Sequence, residues 1–257
     1  MTPKTTRRGF DTEDRKWFSG KNIEKLRFAQ QDVRWLLDRG YKMGGTVDFV
    51  GGHYQLSSRQ RIALQRATAS KRQYEQRKAT MLPMEFAKDG CIYIDGFNLI
   101  ITLEVALSGS VLILGNDGVL RDLAGLRGTY SIIEQTDMAL YFIGESLRKF
   151  AVPEVNFFLD APVSNSGKLR QKIVEHSVGW EIPVAVELVP NTDAILAQKA
   201  RIVTGDSVLL DECGSWFNLS KQIVDDYIQG AWIVNMNGRA SVVQTAEPTV
   251  FPSNFER

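Results

Sequence analysis

Two patterns of hydrophobic positions divide this chain. Up to about residue 80 apolar residues recur at helical spacing, and beyond residue 90 they gather into short runs bounded by glycine, proline or an acid. In the first part Ile23, Leu26, Val33, Leu36 and Leu37 approximate one helical stripe, which starts after Asp11 to Asp14 or Ser19 and stops at Arg39-Gly40. A shorter unit from about Gly45 to Gly51 turns Val47 and Val50 inward. A third helix is expected from Ser57 or Ser58 through SSRQRIALQRATASKRQYEQRK, with Ile62 and Leu64 as its few core anchors. Residues 1–10 read as a basic lead, and ATMLPMEFAKDG, residues 79–90, as a connection broken by Pro83 and Asp89-Gly90.

From residue 91 strands and helices alternate. CIYIDGFN, residues 91–98, reads as a core strand that delivers Asp95 onto a glycine, and an apolar segment follows from Leu99 to Leu107. Val111 to Leu114 and Val119 to Arg121 form an expected hairpin around Asn116-Asp117-Gly118, a context that suits a type I′ turn. Ser131 with Glu134 reads as a capping box for a helix that aligns Ile133, Leu140, Ile143 and Leu147 and reaches Phe150. Val155 to Leu159 and Val184 to Val189 are read as core strands, Arg201 to Thr204 as a fourth and Trp232 to Val234 as the last. Helices are expected towards His176, from Thr192 to Ala200, and from Trp216 to Ile228. Such alternation implies an α/β fold with a mainly parallel sheet flanked by helices, behind an N-terminal all-α domain. The expected division is 1–80 helical, 81–90 linker, 91–240 α/β and 241–257 an irregular tail with Pro248 and Pro252.

Composition excludes a disordered or fibrous chain: of 257 residues 44% are hydrophobic and 24% charged. The net charge of +1 hides an asymmetry. Residues 1–90 hold 19 Lys/Arg against 10 Asp/Glu, about +9; the remaining 12 against 20 give about −8. The third helix carries Arg59, Arg61, Arg66, Lys71, Arg72, Arg77 and Lys78 against the single acid Glu75. That density of arginine suits a phosphate backbone, so RNA is the expected partner, with Arg59, Arg61, Arg66, Lys71 and Arg72 as contacts and Lys168 and Arg170 as further ones. Trp17, Trp35 and Tyr41 read as core. Cys91 and Cys213 lack ligand spacing and the N-terminus lacks a signal pattern, which argues for a reducing cytoplasm. The longest apolar run, residues 97–114, is interrupted by Glu104, so no membrane role is expected.

In parallel sheets functional groups gather outside the carboxyl ends of the strands. Asp95, Asp160 and Asp206 each follow an apolar strand, and Asp193 opens a helix just after another. Singly each suits an ordinary turn or cap. Together they place four acids on one rim, where they repel unless cations neutralise them. Oxygen-only ligands select Mg²⁺ or Mn²⁺ rather than zinc, and the chemistry implied is hydrolysis of a phosphodiester. Arg121, Asp122 and Arg127 read first as a salt-bridged loop and second as rim contacts. His53 and His176 have no triad partners, and there is no phosphate-binding glycine loop.

These residues also carry a resemblance. CIYIDGFNLI resembles the opening strand of PIN-like nucleases, in particular the IDGxN pattern of their NYN branch. FFLDAP, NTDAIL and VTGDSVLLD are similar to the family's second acid, its helix-start acid and its closing T-x-D element. The resemblance implies a PIN-like Rossmannoid fold and a metal-dependent endoribonuclease. It makes Asp95, Asp160, Asp193 and Asp206 the metal-binding set, Asn98 a site-shaping polar residue and Asp211 an outer-shell acid. The whole chain, including YQLSSRQRIALQR and DGVLRDLAGLRGTY, also resembles an uncharacterised prokaryotic group with a PIN-like C-terminal half, which supplies no substrate. The inserted hairpin from Asp117 to Arg127 and the single acid at Asp193 depart from the pattern and leave metal number and activity open. A non-catalytic RNA-binding or scaffold protein with a degenerate domain is the alternative, and hydrolysis of DNA or a nucleotide a third option. Oligomeric state is open, a homodimer included.

Overall fold

The computed structural model describes residues 6–125 and 128–237. The helical part comprises α1 (Asp14–Trp17), α2 (Gly20–Leu37), α3 (Met43–His53), α4 (Ser58–Ala67) and α5 (Lys71–Thr80). Where one basic helix is expected from sequence there are two. Ser57 and Ser70 each accept the N–H of a glutamine three residues on, and Gln60 and Gln73 each reach back to the cap's own N–H. The second of these reciprocal caps restarts the helix at Ser70, so the basic residues do not share one continuous face.

A 3-10 turn, Met84–Asp89, leads into β1 (Ile92–Asp95), which runs directly into α6 (Gly96–Leu107). There follow β2 (Leu112–Leu114), β3 (Leu120–Asp122), α7 (Glu134–Lys149), β4 (Val155–Asp160), α8 (Ser166–Ser177) and β5 (Val184–Val189). The chain then forms α9 (Thr192–Leu196), β6 (Ile202–Val203), α10 (Ser207–Glu212), α11 (Leu219–Tyr227) and β7 (Ile233–Asn235). The main sheet has the order β5-β4-β1-β6 with every pairing parallel, and the second has the order β3-β2-β7. The mainly parallel, helix-flanked α/β sheet and the helical N-terminal part are therefore as expected. Winding proceeds from β1 to β4 to β5 and then returns to lay β6 on the other side of β1. This reversal puts a topological switch point at the carboxyl ends of β1 and β6, where open α/β sheets bind ligands.

The helical part shares a core with the small sheet. Leu26, Val33, Val47, Val50 and Leu64 pack with Val111 and Ile113 of the hairpin and with Val234 and Met236 at β7. The expected linker is likewise tied down, since the Leu82 N–H donates to the Trp216 carbonyl at 2.8 Å and Met81 bridges to Trp216.

Several local expectations are corrected. The hairpin turn is not type I′: only Gly118 has positive φ, at +78°, while Asn116 and Asp117 do not, and the Gly118 N–H closes onto Gly115 O. A tight turn followed by a left-handed glycine is the three-residue solution. The helix after Ser131 begins at Glu134, where the Ile133 N–H donates to Thr136 Oγ1 at 3.0 Å. Asn191, not Thr192, caps the short α9, and Trp216 precedes α11. β5 is an edge strand with Glu187 and Leu188 exposed, not a core strand. Trp35 (55% exposed) and Tyr41 (61%) are not core; the Arg39 guanidinium lies 3.4 Å over the Trp35 ring. Residues 1–5 of the basic lead, Arg127 and the tail 241–257 lie outside the described residues. Among the described residues no helix is long and apolar enough to cross a membrane.

Candidate active site

The site is built around the last residue of β1. Asp95 is buried, and it caps α6 by accepting the Asn98 N–H on Oδ1 at 3.3 Å. Its other oxygen accepts the Thr204 hydroxyl at 2.9 Å. The next residue must be glycine, because a Cβ at Gly96 would lie 2.6 Å from a Leu159 methyl and 3.2 Å from the Phe158 carbonyl. The IDG triplet is thus the physical signature of a strand that turns into a helix hard against its neighbour.

Thr204, just past β6, joins two acids, since its Oγ1 also accepts the Asp206 N–H at 3.0 Å. Asn98 Oδ1 accepts the Gly205 N–H at 2.6 Å. Asp206 caps α10 through the N–H groups of Val208 and Leu209. On the other side of β1, Asp160 ends β4 opposite Val189 of β5, and its Oδ1 accepts the Thr192 N–H at 2.9 Å. Asp193 is the next residue, exposed on α9.

Several of these acids lie close enough to raise one another. Burial pushes the Asp95 carboxyl up to about 7, against the bonds from Thr204 and Asn98, and the charges of Asp193 and Asp206 push in the same direction as burial. Asp193 is raised by burial and then by Asp206, Asp160 and Glu212. The four acids therefore lie along one rim, at or just beyond the carboxyl ends of the main-sheet strands. Their donor chemistry, all oxygen with uncompensated negative charge, fits a hard divalent cation. Thr192 Oγ1, buried beside Asp160 and without a hydrogen-bond partner among the described residues, is a further oxygen at this place. The like-charged side chains stand apart: among the described residues no three His, Cys, Asp or Glu are drawn together as a metal cage.

Other candidates lie elsewhere. Asp211 faces α5, accepting Arg77 Nε and Gln73 Nε2, each at 2.7 Å. Arg59 grips Asp14 with two bonds of 2.8 Å and the carbonyls of Leu123 and Gly9. Arg66 bonds the Asp122 carbonyl at 2.6 Å, and Arg61 bonds the carbonyls of Leu56 and Asp48. These three arginines bond within the fold, Arg59 the most deeply buried of them. Lys71, Arg72, Lys168 and Arg170 are exposed; Arg72 and Lys168 have no ion-pair partner among the described residues. Thr204, the first residue of the T-x-D element, is a rim residue to which sequence reasoning gave no role of its own, and Thr192 was read only as a helix cap.

Fold and rim together define a class: an α/β protein whose parallel sheet carries a carboxylate site at its switch point. The chain belongs to the family described as "Domain of unknown function (DUF5616)", whose model matches residues 84–222. Residues 25–79 match "Protein of unknown function (DUF434)", so the two matched stretches meet between α5 and the 3-10 turn. It is 36% identical over 189 residues to the uncharacterized protein MJ0935 of Methanocaldococcus jannaschii, an alignment that spans 74% of this chain and 89% of that relative. No solved structure matches the chain.

Proposed function

We propose that the rim is the active site of a PIN-like, metal-dependent endoribonuclease, with the helical part as its RNA-holding region. The observation that carries this reading is the placement of Asp95, Asp160, Asp193 and Asp206 along one rim, with Asp95 buried and strongly raised. Asp95, Asp193 and Asp206, with Asp160 beside them, are the residues that would hold Mg²⁺ or Mn²⁺. Such a cation, when bound, supplies Lewis-acid polarisation of a phosphodiester and of the water that cleaves it.

The chain's own groups do the positioning. Thr204 donates to Asp95 and accepts from the Asp206 amide, so it holds the two acids in fixed relation. Asn98 fixes the Gly205 peptide, and Asp160 anchors the start of α9 and hence Asp193. The raised Asp95 carboxyl ionises near neutrality, which makes ligand formation by this rim pH-dependent, increasing towards pH 7 and above. Exposed Lys71, Arg72 and Lys168 are the cations left to meet an RNA backbone.

The test is cleavage of labelled single-stranded and structured RNA, and of DNA, with Mn²⁺. Asp95→Asn and Asp206→Asn are expected to abolish cleavage while circular dichroism and RNA binding stay near wild type. Undiminished cleavage by both variants defeats the proposal. A second reading, a non-catalytic RNA-binding scaffold, draws support from the absence of a preformed metal cage among the described residues. Absence of any Mn²⁺-dependent thermal shift, with RNA binding intact, selects it.

A further inference from the structure

The inserted hairpin is wedged between the helical part and the rim. At its tip the Asn116 side-chain amide pairs with the Ala69 backbone in both directions, each at 2.8 Å, and the Asn116 N–H donates to Ala67 O at 2.9 Å. The Asp117 side chain is buried and receives two guanidinium groups. Arg121 gives it bonds of 3.0 and 2.7 Å, and Arg77 one of 2.6 Å. Arg77, itself buried, also bonds Asp211. Two cations and two carboxylates thus balance, which is the condition for burying such charges at all.

The remaining donors of this network have one destination. Arg121 Nε donates to Gly205 O at 2.8 Å, and Arg77 Nη2 donates to Ser207 O at 3.1 Å. These are the carbonyls on either side of Asp206. The fit leaves no room for side chains: a Cβ at Gly115 would lie 2.6 Å from Asp117 Oδ1 and 2.8 Å from Arg121 Nη1. One at Gly205 would lie 3.1 Å from both Asn98 Oδ1 and Leu120 O. We infer that Arg121 and Arg77, locked by Asp117, are positioning residues that clamp the carbonyls of the two residues flanking Asp206 and so set this acid against Asp95. Docking of the helical part is supplied by the shared apolar core, the Asn116 pairing and the ion pairs. The bonds to Gly205 and Ser207 serve the rim loop, and they give the hairpin its role as the underside of the site. The geometric claim stands on the network alone; only its consequence for metal affinity rests on the rim reading above.

The experiment measures residue-resolved amide exchange by NMR on the full chain, as the ratio of Gly205 to Ile94 in β1, together with Mn²⁺ binding by calorimetry. Arg121→Lys keeps a charge for Asp117 but lacks the Nε contact, and Arg121→Met lacks both. Each is expected to raise the exchange ratio about tenfold, the scale of one lost buried hydrogen bond, and to weaken Mn²⁺ binding by a similar factor. Ile173→Ala, a core truncation on α8 away from the hairpin, is the control for general loss of stability and is expected to leave the ratio unchanged. Asp117→Asn should move the ratio in the same direction as Arg121→Met. An unchanged ratio in both Arg121 variants overturns the proposal and reduces the network to a structural ion cluster. If wild type binds no Mn²⁺, the metal reading of the rim fails, and the exchange ratio still decides the clamp.

Discussion

The rim and the network beneath it are both collections of acids, yet their electrostatics are opposite. At the rim Asp95 meets Asp193 and Asp206 with no cationic side chain among the causes of its shift, and burial drives it up to about 7. Asp117 is also buried, which would raise it, but Arg121 and Arg77 overcome that and hold it below the ordinary carboxylate range. Carboxylates in equally buried places are thus stabilised or destabilised according to whether guanidinium groups arrive. The paired cluster is structure; the unpaired one is the place proposed for a cation.

The largest expected effect lies on the paired side. Asp117→Asn leaves Arg77 and Arg121 without their shared counter-charge and is expected to cost about 3–5 kcal/mol, read by denaturant unfolding. A cost within 1 kcal/mol breaks the comparison. On the unpaired side the sign reverses. The native Asp95 pKa lies above its ordinary value of 3.8, so the native state binds the proton more tightly than the unfolded chain. Stability from this group is fully present below about pH 4 and is lost as pH rises through about 7, at most ~4 kcal/mol. Asp95→Asn should therefore stabilise the metal-free protein by about 2–4 kcal/mol at pH 8 and by little at pH 4. A variant less stable than wild type at pH 8 refutes this. Asp117 has the opposite slope: its contribution is present above the ordinary carboxylate pKa and is lost as pH falls through its depressed value.

A smaller effect sharpens the contrast within the rim. Thr204→Val removes the hydroxyl that opposes the Asp95 shift, so the Asp95 titration, followed by carboxyl NMR, should move further upward, with a stability change of about 1 kcal/mol. The smallest effect belongs to solvent-facing cations. Combined Arg72→Ala and Lys168→Ala should change stability by no more than about 0.5 kcal/mol while lowering RNA affinity and the salt dependence of binding. Unchanged affinity in filter binding removes these two from the RNA path.

Much of the scaffold was legible locally. CIYIDGFN announced a strand ending in an acid on a glycine, and the Gly96 contact with Leu159 explains why that residue is glycine. The order of the other acids along the chain put them at strand ends, and parallel winding carries all such ends to one edge. Less legible was the helical part, where SSRQRIALQRATASKRQYEQRK reads as one helix unless its two S-x-x-Q caps are recognised. The exposed Trp35 ring was also hidden, because an aromatic residue on a helical stripe looks the same whether its face is covered or open.

What the chain determined by itself is what short-range patterning encodes: the period of most elements and the placement of Asp95, Asp160, Asp193 and Asp206 at or just beyond strands. Tertiary structure alone decided which charges are free. Arg77 finds Asp211 134 positions away, Arg121 finds Gly205 84 positions away, and Arg59 finds Asp14 45 positions away. A charge's meaning depends on its partners and its burial, and both are set by chain segments that local sequence does not bring together.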